Sequence, residues 1–114
     1  MEIKIIKEKI TEEQLKEFAK KRYGSMLKAV VDIKKEIMAI GGEFHADANA
    51  LLIEKSSEQK NLWGINIYPD RPKDEWLEFV ALINIRPFFN NRSMEIESQD
   101  IREKIKKIID KLIK

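Results

Sequence analysis

The sequence predicts an α+β domain, with an antiparallel β-sheet and an N-terminal and a C-terminal helix packed on one of its faces. Three observations predict it. Both ends carry apolar residues at helical spacing behind a capping signal. Between them lie short runs rich in β-branched and aromatic residues, separated by turn residues. The order of helix, hairpin-connected strands and helix segregates the two classes of element, which is the α+β arrangement. At 114 residues the whole chain, 1–114, is expected to form one domain.

In order along the chain, Ile3 and Ile5 alternate weakly within residues 1–6 and predict a short edge strand. Thr11-Glu12-Glu13-Gln14 reads as a capping box, with Ile10 and Leu15 at the staple positions. Leu15, Phe18, Ala19 and Tyr23 continue the stripe, and Gly24 stops it, so a helix is expected over 12–23. Residues 26–40 hold two β-branched runs split by charge, which favours a hairpin turning at Lys34-Lys35-Glu36 over a single helix. Gly41-Gly42 ends that unit. Residues 46–55 fit either a short helix after Asp47 or a strand through Leu51-Leu52-Ile53. The strand gives the simpler topology, with 56–61 as a hairpin loop and 62–68 as the returning strand. A single helical turn is expected at 73–76, a strand over 79–86 ended by Pro87, and a short strand over 94–97. Ser98 caps the last helix, whose stripe is Ile101, Ile105, Ile108, Ile109 and Leu112.

Composition narrows the function classes. There is no cysteine, so disulfides, thiolate nucleophiles and cysteine-bound zinc are excluded, and a reducing, cytoplasmic setting is expected. No apolar run reaches the length of a membrane span. The net charge is +2, which argues against a general attraction to nucleic acid. Gly41-Gly42 lacks the later Gly-Lys-Ser/Thr of a phosphate loop, and no motif implies a cofactor.

The polar residues of the middle carry the chemistry. If 62–68 and 79–86 are strands, Asn66 and Tyr68 share one face, as do Asn84 and Arg86, with Trp63, Ile65, Ile67, Ile83 and Ile85 on the opposite one. Amides, a phenol and a guanidinium on an open sheet face suit a small anionic or amide-bearing ligand. An ordinary solvated face alternates in the same way. His45 and Asp47 read as a base with its orienting carboxylate, or as loop and capping residues. A metal site would need Asp32, Glu43 or Glu54 as well. Asn91 and Arg92, in the loop after Phe88-Phe89, offer an anion or base contact.

The runs Val30-Val31-Asp32-Ile33, Ile37–Glu43, His45-Ala46-Asp47, Leu62–Pro69, Ile83–Pro87 and Asn91-Arg92-Ser93 resemble a family of small prokaryotic proteins of unknown function, over about residues 10–113. That resemblance brings no activity, cofactor or partner. Members of that family resemble this chain but carry Gly at the position of Glu36, which implies a tight turn there and a strained backbone at Glu36. The leading expectation is a ligand- or partner-binding domain, compatible with a homodimer. The second is a hydrolase-like enzyme using His45 and Asp47 near Arg86, and the third is nucleic-acid binding through the 88–93 loop.

Overall fold

A computed structural model describes residues 2–22 and 24–114. Five strands form one antiparallel sheet: β1 (Ile3–Ile6), β2 (Leu27–Asp32), β3 (Ile37–Gly41), β4 (Leu62–Ile67) and β5 (Leu77–Glu78), in the order β1-β3-β2-β4-β5. Three helices accompany it: α1 (Glu12–Arg22), α2 (His45–Glu54) and α3 (Gln99–Leu112). Tyr23, the last residue of the expected α1 stripe, and Met1 lie outside the described residues.

The local signals at both ends act as expected. Thr11 Oγ1 accepts the Gln14 amide at 3.0 Å and Gln14 Oε1 accepts the Thr11 amide at 2.9 Å, closing the capping box of α1. Ser98 Oγ accepts the Ile101 amide at 3.3 Å and starts α3. The hairpin β2–β3 is clamped by buried Asp32. Its Oδ1 accepts the amides of Lys34 and Lys35, both at 2.9 Å, and its Oδ2 accepts the Ser57 hydroxyl at 2.6 Å. Glu36 takes the left-handed conformation that closes this turn, at φ 57°.

Period-two alternation sorts the sheet's side chains. Ala29, Val31, Met38, Ile40, Trp63, Ile65 and Ile67 face α1 and α3, where Leu15, Phe18, Ile105, Ile108, Ile109 and Leu112 complete the main core. The N- and C-terminal helices thus pack on one face, and they are tied together at Ile10, whose amide donates to Leu112 O at 2.8 Å. The opposite face carries Val30, Ala39 and Leu62, covered by Ala48 and Leu52 of α2 with Ile83 beside them.

Two expected strands are corrected. Residues 46–54 belong to helix α2, and Lys55 is its C-cap. Ala46, Ala48 and Ala50 favour it, and Ala48 and Leu52, four apart, form the stripe that covers Val30 and Ala39. Residues 79–86 do not form a strand either: β5 stops at Glu78, Val80 makes one bridge to Glu95, and Leu82–Asn84 turns as a 3-10 helix. The expected strand at 94–97 shrinks to the same bridge, held by Ala81 N–H to Met94 O at 3.1 Å and Ile96 N–H to Phe79 O at 2.9 Å.

Candidate functional site

β5 pairs only with Asn66 and Ile67, and side chains finish the rest of the outer edge of β4. Asn84 is fully buried. Its Oδ1 accepts the Gly64 amide at 2.8 Å, and its Nδ2 donates to Gly64 O at 2.9 Å and Met94 O at 3.1 Å. One carboxamide therefore makes the two bonds that a neighbouring strand would make. Gly64 suits that approach, because a Cβ there would stand 2.5 Å from Ala81 Cβ and 3.0 Å from Ile83. Two residues on, Arg86 donates from Nη1 to Gln59 O at 2.7 Å and from Nη2 to Leu62 O. Its guanidinium lies 4.1 Å from the Trp63 ring centroid. Burial lowers the Arg86 pKa from its ordinary value. Two of the five N–H groups of Arg86 are thus spent on backbone carbonyls, and its Nε–H is buried without a partner among the described residues.

Asn91 is the second knot. Its Nδ2 serves the carbonyls of Asn84 at 2.7 Å, Glu95 at 2.8 Å and Ser93 at 3.0 Å, and its Oδ1 accepts the Glu97 amide at 2.8 Å. Arg86 and Asn91 also exchange backbone bonds at 2.6 and 3.1 Å, closing a tight loop with Phe88 and Phe89 at its tip. The exposed Arg92 contributes its amide, which Glu97 Oε2 accepts at 2.8 Å. The Arg92 and Ser93 amides hold the Glu97 carboxyl below its usual range.

His45, the first residue of α2, donates from Nε2–H to Ile65 O at 2.8 Å, since a carbonyl can only accept. Burial lowers its pKa and Lys28 pushes the same way, against the smaller opposing pull of the Ile65 carbonyl and the Asn66 amide. Burial thus favours the neutral form of the ring. Asp47 does not orient it: Asp47 Oδ2 accepts the Phe44 amide at 3.2 Å and caps α2. Asn66 Nδ2 and the Tyr68 hydroxyl both donate to Glu78 Oε1, at 2.7 and 3.2 Å. Burial and the Glu78 carboxylate raise the Tyr68 pKa. Thus His45 and Asn66 are brought together, whereas the His45, Asp47 and Arg86 set of a hydrolase is not. Among the described residues no three His, Asp or Glu side chains gather around a point where a metal ion would sit.

Of the several concavities on the surface, the one beside His45 is a groove of about 370 Å³ between the start of α2 and residues 80–83, lined by Lys28, Phe44, His45, Val80, Leu82 and Met94 among others. A family model described as a protein of unknown function, DUF5674, matches residues 4–112. The chain belongs to the DUF5674 family. No curated protein and no solved structure matches it. No helix of the described residues is long and apolar enough to cross a membrane.

What sequence reasoning missed on this DUF5674 domain is its apolar surface. Leu82, Ile85, Phe88, Phe89 and Met94 are exposed together with Phe44. Pro87-Phe88-Phe89, followed by Asn90-Asn91, was the available signal: aromatics in a loop find little to pack against. Leu82 gave none, because it fits the alternation of a strand that does not form.

Proposed function

We propose that this DUF5674 domain is a partner-binding module whose contact surface is the apolar face around α2 and residues 82–94. One observation carries the reading. Of the seven large hydrophobic side chains exposed among the described residues, six come from Phe44 and the 82–94 segment, with Phe88 at 99%, Leu82 at 70% and Phe44 at 60% exposure. Scattered exposed apolar residues are normal, whereas a concentration of this kind marks an interaction site. Phe44, Leu82 and Met94 line one groove, and the Asn91 knot fastens the Phe88 loop to the same segment. The polar residues support the surface from beneath: Asn84, Arg86 and Asn91 fix the backbone that displays it.

The test places a photoreactive benzophenone side chain at Phe88 and, as control, at exposed Lys107 on α3, in the full chain inside its producing cells. The reading expects an adduct from position 88 and none from 107. Equal adducts from both positions, or none from either, would refute it.

A further inference from the structure

We infer that the occupant of this face is a second copy of the same chain, related by a two-fold axis, with Phe88 of each copy seated in the groove beside α2 of the other. The inference rests on the reading of this face as a contact surface and adds the identity of the partner.

Area is the first argument. An aromatic side chain offers roughly 150–250 Å². At exposures of 60%, 99% and 52%, Phe44, Phe88 and Phe89 therefore present on the order of 300–500 Å². Leu82, Ile85 and Met94 extend the patch. A standard interface buries roughly 800 Å² per partner, of which about 56–58% is non-polar, and these side chains are enough to supply that apolar share.

Shape is the second. A two-fold interface uses the same patch twice, so the patch must be self-complementary, and a projection paired with a recess meets that condition. This one has both. Phe88 projects at the tip of a loop closed by the reciprocal Arg86–Asn91 backbone bonds, and the groove of about 370 Å³ has room for a phenyl ring. The loop is held by Asn91 before any contact is made, so docking Phe88 orders little that is not already ordered.

Chemistry is the third. The groove wall is apolar apart from His45 and a single charged side chain, Lys28, close to the charge-poor composition of interface cores. Lys28 Nζ already lies 5.4 Å from the Phe44 ring centroid, and an entering ring would meet the same ammonium.

Sedimentation equilibrium on the full chain tests the proposal, with thermal melts confirming that each variant folds. The wild type is expected to dimerise in the micromolar range. Phe88→Ser removes the projection, and Leu82→Arg obstructs the recess from an exposed position. Each is expected to weaken the dimer by roughly 100-fold or more, since an aromatic anchor is lost twice. Mixing the two variants should restore association, because the mixed pair keeps one intact Phe88–groove contact while neither variant alone has any. A monomeric wild type, an unaffected Phe88→Ser dimer, open-ended polymers or no preference for the mixed pair would each overturn the second copy. A monomer whose position-88 probe still captures another protein overturns this inference alone. A monomer that captures nothing overturns the contact surface too.

Discussion

Replacing Asn84 by Ala should unfold the chain far more readily than its single methyl-sized change in apolar surface suggests. The side chain is fully buried and holds three backbone groups: Gly64 N–H, Gly64 C=O and Met94 C=O. Alanine leaves all three without this partner. Met94 C=O keeps its bond from the Ala81 N–H, so the groups left unpaired are the two of Gly64. At about 1–3 kcal/mol for each buried polar group left unpaired, the expected loss is about 2–6 kcal/mol. That is a large part of the about 5–15 kcal/mol that stabilises a typical domain. Urea unfolding followed by circular dichroism measures it, and an unchanged slope would show that both chains unfold from the same extended surface. Asn84→Asp adds a directional check. One oxygen still accepts from Gly64 N–H, but the other faces two carbonyls unless it is protonated. Its folded pKa is then raised above the unfolded value of about 3.9, so its stability falls as pH rises from there. The variant should be closer to wild type at pH 4 than at pH 7. A loss below about 0.5 kcal/mol for Asn84→Ala, the level of an ordinary surface substitution, would refute the claim that this amide finishes the sheet.

Gly64→Ala drives a methyl towards Ala81 Cβ at 2.5 Å and should cost about 1–3 kcal/mol in the same assay. Glu36→Gly relieves a left-handed φ of 57° at the loss of an exposed ion pair with Lys111, and should raise stability by about 0.5 kcal/mol, read as a higher melting temperature. His45 has a folded pKa below its ordinary 6.5, so the unfolded chain binds more protons in that window. Stability should therefore fall as pH drops from about 6.5 towards the lowered value, and His45→Gln should remove that slope from the urea midpoint. Cutting the chain after Ser98 removes Ile105, Ile108, Ile109, Leu112 and Ile113 from the core, at about 1.5–3 kcal/mol each, so the fragment should show an unfolded circular dichroism spectrum.

The elements legible in the sequence are those whose signals are local. The Thr11–Gln14 box, the Ser98 cap, the Lys34–Glu36 turn and the isoleucine stripe of α3 act within a few residues, and each appears where it was expected. The two errors arise where the deciding interaction is remote. Ala48 and Leu52 read as helix only once Val30 and Ala39, far away in sequence, need covering. Val80, Leu82 and Asn84 alternate like a strand, yet the backbone partner that a strand would need is replaced by the side chain of Asn84 itself. Asparagine fits a strand poorly, and Asn84 sits there as a buried carboxamide in the ladder, not as a group facing a ligand.

That substitution of a side chain for a strand also explains why the apolar surface exists. A sheet edge leaves unpaired backbone groups that must be covered. If residues 79–86 had paired along β4, the segment would have lain flat against the sheet's edge. Because Asn84 and Arg86 satisfy Gly64 and Leu62 from their side chains, their own backbone is released to turn at 82–84 and again at 87–89. Those two turns present Leu82 and Phe88 outward. The roles expected from residue type are thus exchanged: the polar residues hold the fold, and the apolar ones are available for contact. Stability and association should therefore separate under mutation. Asn84→Ala should lose the fold, whereas Phe88→Ser, at a side chain that is 99% exposed, should leave the urea midpoint where it is when both chains are dilute enough to be monomeric. A Phe88→Ser chain destabilised as much as Asn84→Ala would mean that the loop tip packs on its own molecule, and the division of labour argued here would be wrong.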